Sequence, residues 1–345
     1  MSKIALYRKY RPMTFADVAG QENIVKTLSS EVVSNSVSHA YLFCGTRGTG
    51  KTTLAKILAK AVNCENLSPN GDPCCKCSAC KSIQDGNCTD VLELDAASNN
   101  SVDNIRDIRN NVEFLPTQVK KRVYIIDEVH MLSMAAFNAL LKTLEEPPEH
   151  AIFILATTEN HKVPVTISSR CQRFTFSSLT NEQIEKRLEY IAKQEKINIE
   201  KSAIEKLAVL ADGAMRDAVS LLEQVAIEDD ITAESIDKFL NLPSEEKYND
   251  IIKAIINKDE KSLFEFVDAE IVKMNNPIVF ASNIFDVCKK LYRNQIFGGK
   301  EEYDKKELLR IMQNIAEIIG TARQIPNPKK YIEASLLLLI EEVAV

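Results

Sequence analysis

The sequence predicts an α/β domain built on a parallel sheet, followed by two domains made only of helices. Short apolar runs alternate with helical patterns over residues 1–178, as in a parallel sheet with helices on both faces. From residue 179 onward the strand patterns stop and amphipathic helical patterns replace them. A charged stretch after Leu242-Pro243 marks a second boundary. The predicted domains are therefore 1–178, 179–242 and 243–345.

Length and composition restrict the class of protein. The 345 residues are enough for two or three domains that each bury a core. No run of 18 apolar residues is present, and Met1–Ala5 shows no export signal, so we expect a cytoplasmic protein without a membrane span. The formal net charge of −6 argues against a broadly basic surface, so any contact with nucleic acid should be local.

The predicted α/β domain contains five apolar runs with the composition of buried strands. They are Tyr41–Cys44, Val91–Leu94, Val123–Asp127, Ile152–Thr157 and Arg173–Phe176. Capping residues precede a predicted helix near 102–111. Ser133 should cap another helix, whose apolar stripe begins at Phe137, and Pro147-Pro148 should end it.

The first predicted strand leads into the pattern G-x-x-x-x-G-K-[ST]. Its residues are Gly45, Thr46, Arg47, Gly48, Thr49, Gly50, Lys51 and Thr52, and Thr53 follows directly. From Leu54 to Ala61 apolar residues then recur at the spacing of one helix face. A strand, a glycine-rich turn and a helix N-terminus form a cradle for polyphosphate. We expect Lys51 to neutralise phosphate oxygens and Thr52 to hold Mg²⁺; a glycine- and threonine-rich surface turn is the alternative.

A pair of carboxylates ends the third predicted strand. Asp127 and Glu128 follow the β-branched run that begins at Val123. We expect Asp127 to reach the metal ion through its water shell and Glu128 to orient and activate the attacking water. Two solvated acids at the end of a buried strand are the alternative. Together with the glycine-rich turn, the pair favours a Mg²⁺-dependent nucleoside triphosphatase that uses water.

Five of the nine cysteines lie between Cys64 and Cys80. The spacing Cys64, then Cys74-x2-Cys77-x2-Cys80, on a loop-rich segment without histidine, favours a closed tetrahedral structural zinc site. An iron–sulfur cluster or unligated thiols are alternatives, and Cys75 could take the place of Cys74. The other cysteines are expected to be ordinary small apolar side chains: Cys44, Cys88, Cys171 and Cys288.

Beyond residue 179 the predicted helices carry their own signals. Three amphipathic helices are marked by apolar positions around Ile184, Leu207 and Leu222. In the last helix Leu336–Ile340 is apolar on every side, so we expect burial on every side, with a second subunit supplying part of the cover.

Polar residues near the ends of later elements could extend the site. Thr157 and Thr158 end the fourth predicted strand, close in the sheet to Asp127. Arg170 follows that strand, and Arg216 begins a helix beyond residue 179. Taken singly, each arginine is better explained as a surface salt-bridge partner, and paired threonines at a strand end are common.

Taken together, these motifs resemble the AAA+ clamp-loader ATPases and, among them, the bacterial DNA polymerase III gamma/tau family. The segments that carry the resemblance are Tyr10-Arg11-Pro12-x-Thr14-Phe15-x-Asp17-Val18-x-Gly20-Gln21, the glycine-rich turn, Ile126-Asp127-Glu128-Val129-His130-Met131-Leu132, Ser169-Arg170-Cys171 and Gly213-x-Met215-Arg216-Asp217-Ala218. The resemblance extends over essentially the whole chain and is strongest over residues 1–240. The four-cysteine insertion is specific to the bacterial branch.

The resemblance implies a role for each candidate residue. The implied cis site consists of Lys51, Thr52, Asp127 and Glu128, with Thr158 as sensor 1 and Thr157 as the neighbouring alternative. Arg216 would be sensor 2, reporting nucleotide to a lid at 179–242. Arg170 would act in trans as an arginine finger in the ATP site of the next subunit. The purine would lie near Tyr10, Arg11 and Val18.

The implied activity is ATP-driven loading of a sliding clamp onto primer–template DNA, with Mg²⁺ and Zn²⁺ as metals. The implied partners are delta, delta′ and further gamma/tau subunits, the clamp and the DNA, and residues 243–345 would form a collar that closes the ring. Asn99 and Asn100, with the helix they precede, are the candidates for phosphate contacts to DNA. The alternatives are a nucleotide-binding scaffold without turnover, against which the retained Lys51 and acidic pair argue, and another AAA+ motor that remodels DNA.

Overall fold

The computed structural model describes residues 4–98, 102–227, 230–240, 243–271, 277–298, 303–322, 325 and 327–340, without the side chains at 104, 245 and 270. The chain divides into two compact units, Met1–Asp229 and Asp230–Val345. No helix in the described ranges has the length and apolar character needed to cross a membrane. The finer division at 178/179 and 242/243 stays a prediction.

The described part of the first unit is built on a five-stranded sheet. Its strands are β1 (Ala40–Cys44), β2 (Val91–Asp95), β3 (Arg122–Asp127), β4 (Ala151–Thr157) and β5 (Gln172–Thr175). They lie in the order β2-β3-β4-β1-β5, and every pairing is parallel. The predicted parallel sheet is confirmed, and each predicted strand is correct to within one residue at either end.

Helices cover both faces of this sheet. The helices of the first unit are α1 (Leu6–Lys9), α2 (Glu22–Val33), α3 (Lys51–Asn63), α4 (Ser78–Gln84), α5 (Val102–Val112), α6 (Met134–Glu145), α7 (Val165–Ser168), α8 (Asn181–Glu195), α9 (Lys201–Leu210) and α10 (Met215–Val225). Successive strand side chains point to opposite faces. Tyr41 and Phe43 therefore enter a core shared with α2 and α3, whereas Leu42 and Tyr124 enter one shared with α5 and α6.

Two helix starts follow from their local sequence. Gly50 precedes α3 with a φ of 102°, a left-handed conformation that glycine adopts without a steric penalty. Leu54 and Ile57 on α3 are completely buried, as the helix spacing predicts. At the start of α6 the Ser133 hydroxyl oxygen accepts a hydrogen bond from Ala136 N at 3.2 Å, which confirms the predicted cap.

The carboxyl ends of the central strands bring the polar motifs to one edge of the sheet. Gly45 directly follows β1, and its N–H donates to the carbonyl of Thr157, the last residue of β4, at 3.2 Å. Asp127 ends the neighbouring strand β3. The predicted phosphate cradle, acidic pair and threonines therefore share this edge.

The described part of the second unit is helical, as predicted. Its helices are α11 (Ala233–Leu240), α12 (Glu245–Ile256), α13 (Glu260–Ile271), α14 (Pro277–Ile296), α15 (Lys305–Ala322) and α16 (Pro328–Leu338). Phe280 and Ile315 are buried in its core. The expectation that a second subunit completes the burial of Leu336–Ile340 stays a prediction. Leu336, Leu339 and Ile340 are buried, but Leu338 is 55% exposed because α16 presents that side away from the core.

Candidate functional site

The glycine-rich turn holds its lysine in place by backbone carbonyls. Lys51 is 6% exposed, and its Nζ donates to the carbonyl oxygens of Gly45 and Thr46 at 2.8 Å each. Burial lowers the pKa of Lys51, and the carboxylates of Glu128 and Asp127 oppose that shift. The ammonium group therefore lies inside the turn, where a bound phosphate could replace the two carbonyls.

A hydrogen bond joins the glycine-rich turn to the acidic pair. The Thr52 hydroxyl donates to Asp127 Oδ2 at 2.6 Å, although the two residues are 75 positions apart in the chain. A hydroxyl oxygen beside a carboxylate oxygen is a donor set that suits Mg²⁺, which prefers hard oxygen ligands. The two residues expected to hold the metal ion thus lie together.

Glu128 contacts one of the two candidate threonines. The Thr158 hydroxyl donates to Glu128 Oε2 at 2.9 Å. The Thr157 side chain instead faces His130, with its Oγ1 3.0 Å from the ring Nδ1. Glu128 has a left-handed backbone (φ 48°, ψ 45°), a conformation that turns the chain sharply after β3. Of the two threonines, Thr158 is the one that touches the predicted base.

The segment before α10 closes over the glycine-rich turn. A Cβ atom built on Gly48, whose φ is 81°, would lie 2.8 Å from the Cβ of Ala214, so a larger residue at position 48 would push that segment away. Two residues later the Arg216 guanidinium lies 4.9 Å from the centre of the Tyr7 ring. The pKa of Tyr7 is lowered, chiefly by its hydrogen bond with Arg8 and further by Arg216.

The candidate residues for binding the purine of the nucleotide lie in three different environments. Arg11 Nε donates to Thr53 Oγ1 on α3 at 3.1 Å, and burial lowers the pKa of Arg11. The Tyr10 hydroxyl donates to Glu195 of α8. That contact raises the pKa of Tyr10 to about 12. Val18 packs, partly buried, against the core shared with α2 and α3. Arg11 is thus the candidate that directly contacts the phosphate-loop helix.

Arg170 follows α7, and its guanidinium donates to acceptors on α6 and α7. Its Nη2 lies 2.6 Å from Glu145 Oε1, and its Nη1 donates to the carbonyl of Thr166 at 2.6 Å. Its side chain is 35% exposed. A partly exposed guanidinium could reach a neighbouring molecule, as the arginine-finger prediction requires. Asn99 and Asn100, the candidates for DNA contacts, lie outside the described residues.

Four cysteine sulfurs converge on one point. The Sγ atoms of Cys64, Cys74, Cys77 and Cys80 all lie within 4.8 Å of one another. Backbone N–H groups point at these sulfurs, for example Cys74 N at 3.2 Å from Cys64 Sγ and Cys77 N at 3.3 Å from Cys74 Sγ. A tetrahedral zinc site with Zn–S bonds of about 2.3 Å places its sulfurs roughly 3.8 Å apart. The donor set and the spacing therefore fit a four-thiolate structural zinc.

The structure distinguishes Cys74 from Cys75. The backbone N–H groups of Lys76 and Cys77 lower the pKa of Cys74 to about 6, which favours the thiolate that binds metal. Cys75 points away from the cluster, and its Sγ lies 3.5 Å from the carbonyl of Met13. Burial raises the pKa of Cys75. Cys74, and not Cys75, is therefore the fourth member of the cluster.

Two features of the site are absent from the sequence-based prediction. His130 belongs to the motif after β3, but its buried ring had no assigned role. The four-cysteine insertion also contacts the N-terminal segment, because Asp72 Oδ1 accepts hydrogen bonds from Phe15 N (2.6 Å) and Ala16 N (3.3 Å). A histidine two residues after an acidic pair is a usable signal, whereas nothing in the sequence pairs residue 72 with residue 15.

Comparisons with known proteins agree with this fold. The chain superposes on a Thermotoga maritima RuvB Holliday junction branch migration motor with a TM-score of 0.51 and 23% identity, over 72% of this chain and 79% of that one. At that identity the likeness concerns the fold alone. The fold, the glycine-rich turn and the acidic pair together define an ATPase of the AAA+ class.

Sequence comparisons narrow the class to a family. Residues 20–180 match the family model described as DNA polymerase III, delta subunit, and residues 183–228 match the DNA polymerase III clamp loader subunit, ATPase lid domain. The chain is 60% identical to the Bacillus subtilis DNA polymerase III subunit tau over 65% of its own length and 40% of that protein's. It is 40% identical to the Buchnera aphidicola subsp. Baizongia pistaciae DNA polymerase III subunit gamma, over 79% of this chain and 75% of that protein. The chain belongs to the DNA polymerase III gamma/tau family of clamp-loader subunits.

The matched region is less than half of the longer relatives. It is 37–48% of the length of the first six of them, from Bacillus, Mycoplasma, Escherichia, Salmonella and Haemophilus. Activities and partners of those whole proteins therefore enter below as proposals.

Proposed function

We propose that this chain binds Mg²⁺–ATP and hydrolyses it, and that the cycle drives opening of a sliding clamp and its release onto primer–template DNA. The hydrogen bond between Thr52 and Asp127 carries the proposal, because it joins the phosphate loop to the acidic pair in an ATPase of the clamp-loader family. The chain retains Lys51 as well as Glu128, which argues against a nucleotide-binding scaffold without turnover.

The proposed mechanism assigns one task to each residue. Lys51 exchanges its two carbonyl acceptors for phosphate oxygens of ATP, and the N–H groups of residues 45–53 bind the remaining oxygens. Mg²⁺, held by Thr52 and Asp127, would neutralise charge on the phosphates. Glu128 accepts a proton from the attacking water, while Thr158 keeps its carboxylate in position.

In this proposal one arginine acts in the ATP site of a neighbouring subunit, so hydrolysis depends on assembly of the subunits. Arg170 would leave Glu145 and enter the ATP site of the adjoining copy, where such fingers raise the rate about 10³- to 10⁵-fold. Arg216, next to the segment that packs on Gly48, would report the bound nucleotide to the lid at 179–242. The proposed neighbours are delta, delta′ and further gamma/tau copies, joined through a collar at 243–345. Zn²⁺ at the four-cysteine cluster would be structural.

The test is ATP hydrolysis by the purified protein with its partner subunits. We expect turnover to rise more when primed DNA and a sliding clamp are added together than when either is added alone, and Lys51→Ala to abolish that rise. Lys56→Ala, at a partly exposed lysine of the same helix that pairs with Glu93, is the matched control. Equal rates with and without clamp and DNA would refute the loading function, whereas turnover retained by Lys51→Ala would refute the assigned ATP site.

A further inference from the structure

His130 lies buried among the residues that follow β3 and β4. It belongs to a short 3-10 turn, Val129–Met131, directly after Glu128, and its side chain is 6% exposed. Its Nδ1 is 3.0 Å from Thr157 Oγ1, and its Nε2 is 3.2 Å from Glu159 Oε1. None of the roles proposed above uses this imidazole.

The two ring nitrogens contact the residues on either side of Thr158. Nε2 lies within ion-pair distance of the Glu159 carboxylate, an acceptor that favours a proton on that nitrogen. On the other side of the ring Thr157 Oγ1 also accepts the backbone N–H of Glu159 at 3.0 Å. The imidazole, Thr157 and Glu159 therefore form a closed loop of contacts around the end of β4, with Thr158 at its centre.

Thr158 in turn determines where the Glu128 carboxylate lies. Its hydroxyl donates to Glu128 Oε2 at 2.9 Å, and the same oxygen is 3.4 Å from His130 Nδ1. Glu128 itself has a left-handed backbone, so the direction of its side chain depends on these contacts as well as on the strand. Residues 157–159 thus contact Glu128 through the Thr158 hydroxyl, and His130 contacts the residues on either side of Thr158.

We propose that His130 is a positioning residue that clamps Thr157 and Glu159 and thereby holds Thr158 against the Glu128 carboxylate. The inference rests on the proposed function, because it deepens the role of Glu128 in hydrolysis. Removal of the imidazole frees the end of β4, so Thr158 no longer fixes Glu128 when the water must be activated. Nucleotide binding is unaffected, because Lys51 and Thr52 lie outside the loop of contacts.

A double-mutant cycle on hydrolysis tests the clamp. His130→Ala in the full chain, assembled with its partner subunits, should lower kcat about 10- to 100-fold and change ATP affinity less than about threefold. Glu159→Ala should lower kcat by a similar factor, and the double variant should be no slower than the slower single one, because both remove the same clamp. His130→Gln has a side-chain amide that can donate to Glu159. This variant should therefore restore at least half of the loss in log kcat. His161→Ala is the matched control, because it removes an exposed imidazole that lies 3.8 Å from the other carboxylate oxygen of Glu159 and does not contact Thr157.

Amide hydrogen exchange gives a readout that does not need hydrolysis. The N–H of Glu159 donates to Thr157 Oγ1, so its exchange should become at least tenfold faster in His130→Ala and stay unchanged in His161→Ala. Any of three results would overturn the positioning role. The losses in kcat of the two single variants could multiply in the double variant, His130→Ala could lower the melting temperature with kcat unchanged, or the Glu159 amide could exchange at an unaltered rate. If the wild-type assembly does not hydrolyse ATP, the proposed function fails, and exchange at residue 159 still decides whether the clamp exists.

Discussion

Replacing single cysteines tests which thiols form the cluster. Cys74→Ser should release the metal ion, whereas Cys75→Ser, one residue away, should retain it. The reason is geometric, because the Cys74 sulfur lies within 4.8 Å of the other three and the Cys75 sulfur points at the Met13 carbonyl. The two variants make the same chemical change on adjacent residues, so each is the control for the other.

The size of the effect follows from the contacts of the Cys74 sulfur. It accepts hydrogen bonds from the backbone N–H groups of Lys76 at 3.5 Å and Cys77 at 3.3 Å. Cys74→Ser therefore removes a metal ligand and also alters two hydrogen bonds that orient the loop. Loss of an outer-sphere contact alone typically costs 10- to 100-fold in metal affinity. Loss of a direct ligand should therefore weaken binding at least about 100-fold, or about 2.8 kcal/mol.

The assay is zinc content per chain after dialysis against a competing chelator at neutral pH. We expect one Zn²⁺ per chain for the unchanged protein and for Cys75→Ser, and less than about one tenth for Cys74→Ser. Far-ultraviolet circular dichroism of each variant shows whether the rest of the first unit stays folded. Zinc retained by Cys74→Ser and lost from Cys75→Ser would refute the assignment, and no zinc in any of the three would refute a metal site.

Three further substitutions follow from the site and the sheet. Arg170→Ala should lower ATPase turnover of the assembled complex at least about 10³-fold, with ATP affinity within about threefold. Thr158→Val keeps the side-chain shape and removes the hydroxyl that donates to Glu128, so kcat should fall about 10- to 100-fold in single-turnover measurements. Asp90→Asn breaks a buried ion pair with Arg122 and should cost about 3–5 kcal/mol of unfolding free energy in urea at pH 7. Burial works to raise the pKa of Asp90, but N–H donors and Arg122 outweigh it and hold the pKa below its ordinary value. Its contribution is therefore present above the ordinary pKa and is lost as the pH falls through the folded-state value, so the difference between the two proteins should shrink on acidification.

Each of these substitutions has a matched control in the chain. Arg173→Ala and Thr175→Val change exposed residues on β5 and should leave turnover within about twofold. Asp85→Asn, an exposed carboxylate after α4, should leave unfolding unchanged at every pH. Undiminished turnover in Arg170→Ala or Thr158→Val would contradict the trans and sensor roles. A stability difference for Asp90→Asn that persists at pH 2 would contradict the ion-pair explanation.

The sheet and the phosphate cradle could be predicted because their signals are local. A buried strand is an apolar run, and the turn between Gly45 and Lys51 needs glycine wherever its backbone becomes left-handed. The burial of Leu54 and the cap at Ser133 follow from spacing within a single helix. In each case the chain contains both partners of the interaction within a few residues.

The contacts that sequence reasoning missed join distant segments. The choice of Cys74 over Cys75 depends on a left-handed backbone at Cys75 (φ 54°), which turns the second thiol toward Met13. The position of His130 depends on the parallel pairing of β3 with β4. Exposure of Leu338 depends on which side of α16 meets the other helices, and an apolar run cannot specify that side.

Helix α3 connects the phosphate loop to the four-cysteine cluster in the first unit. It begins at the phosphate loop with Lys51 and ends at Asn63, next to the first cysteine of the cluster. Thirteen residues at 1.5 Å each make it roughly 20 Å long, within the range over which energy transfer between a coloured metal and a fluorescent nucleotide varies steeply. If the four-cysteine cluster holds Zn²⁺ as proposed, exchange of that ion for Co²⁺, which absorbs visible light, would make the cluster a spectroscopic distance reporter for the binding and release of a fluorescent nucleotide, with no dye attached to the protein.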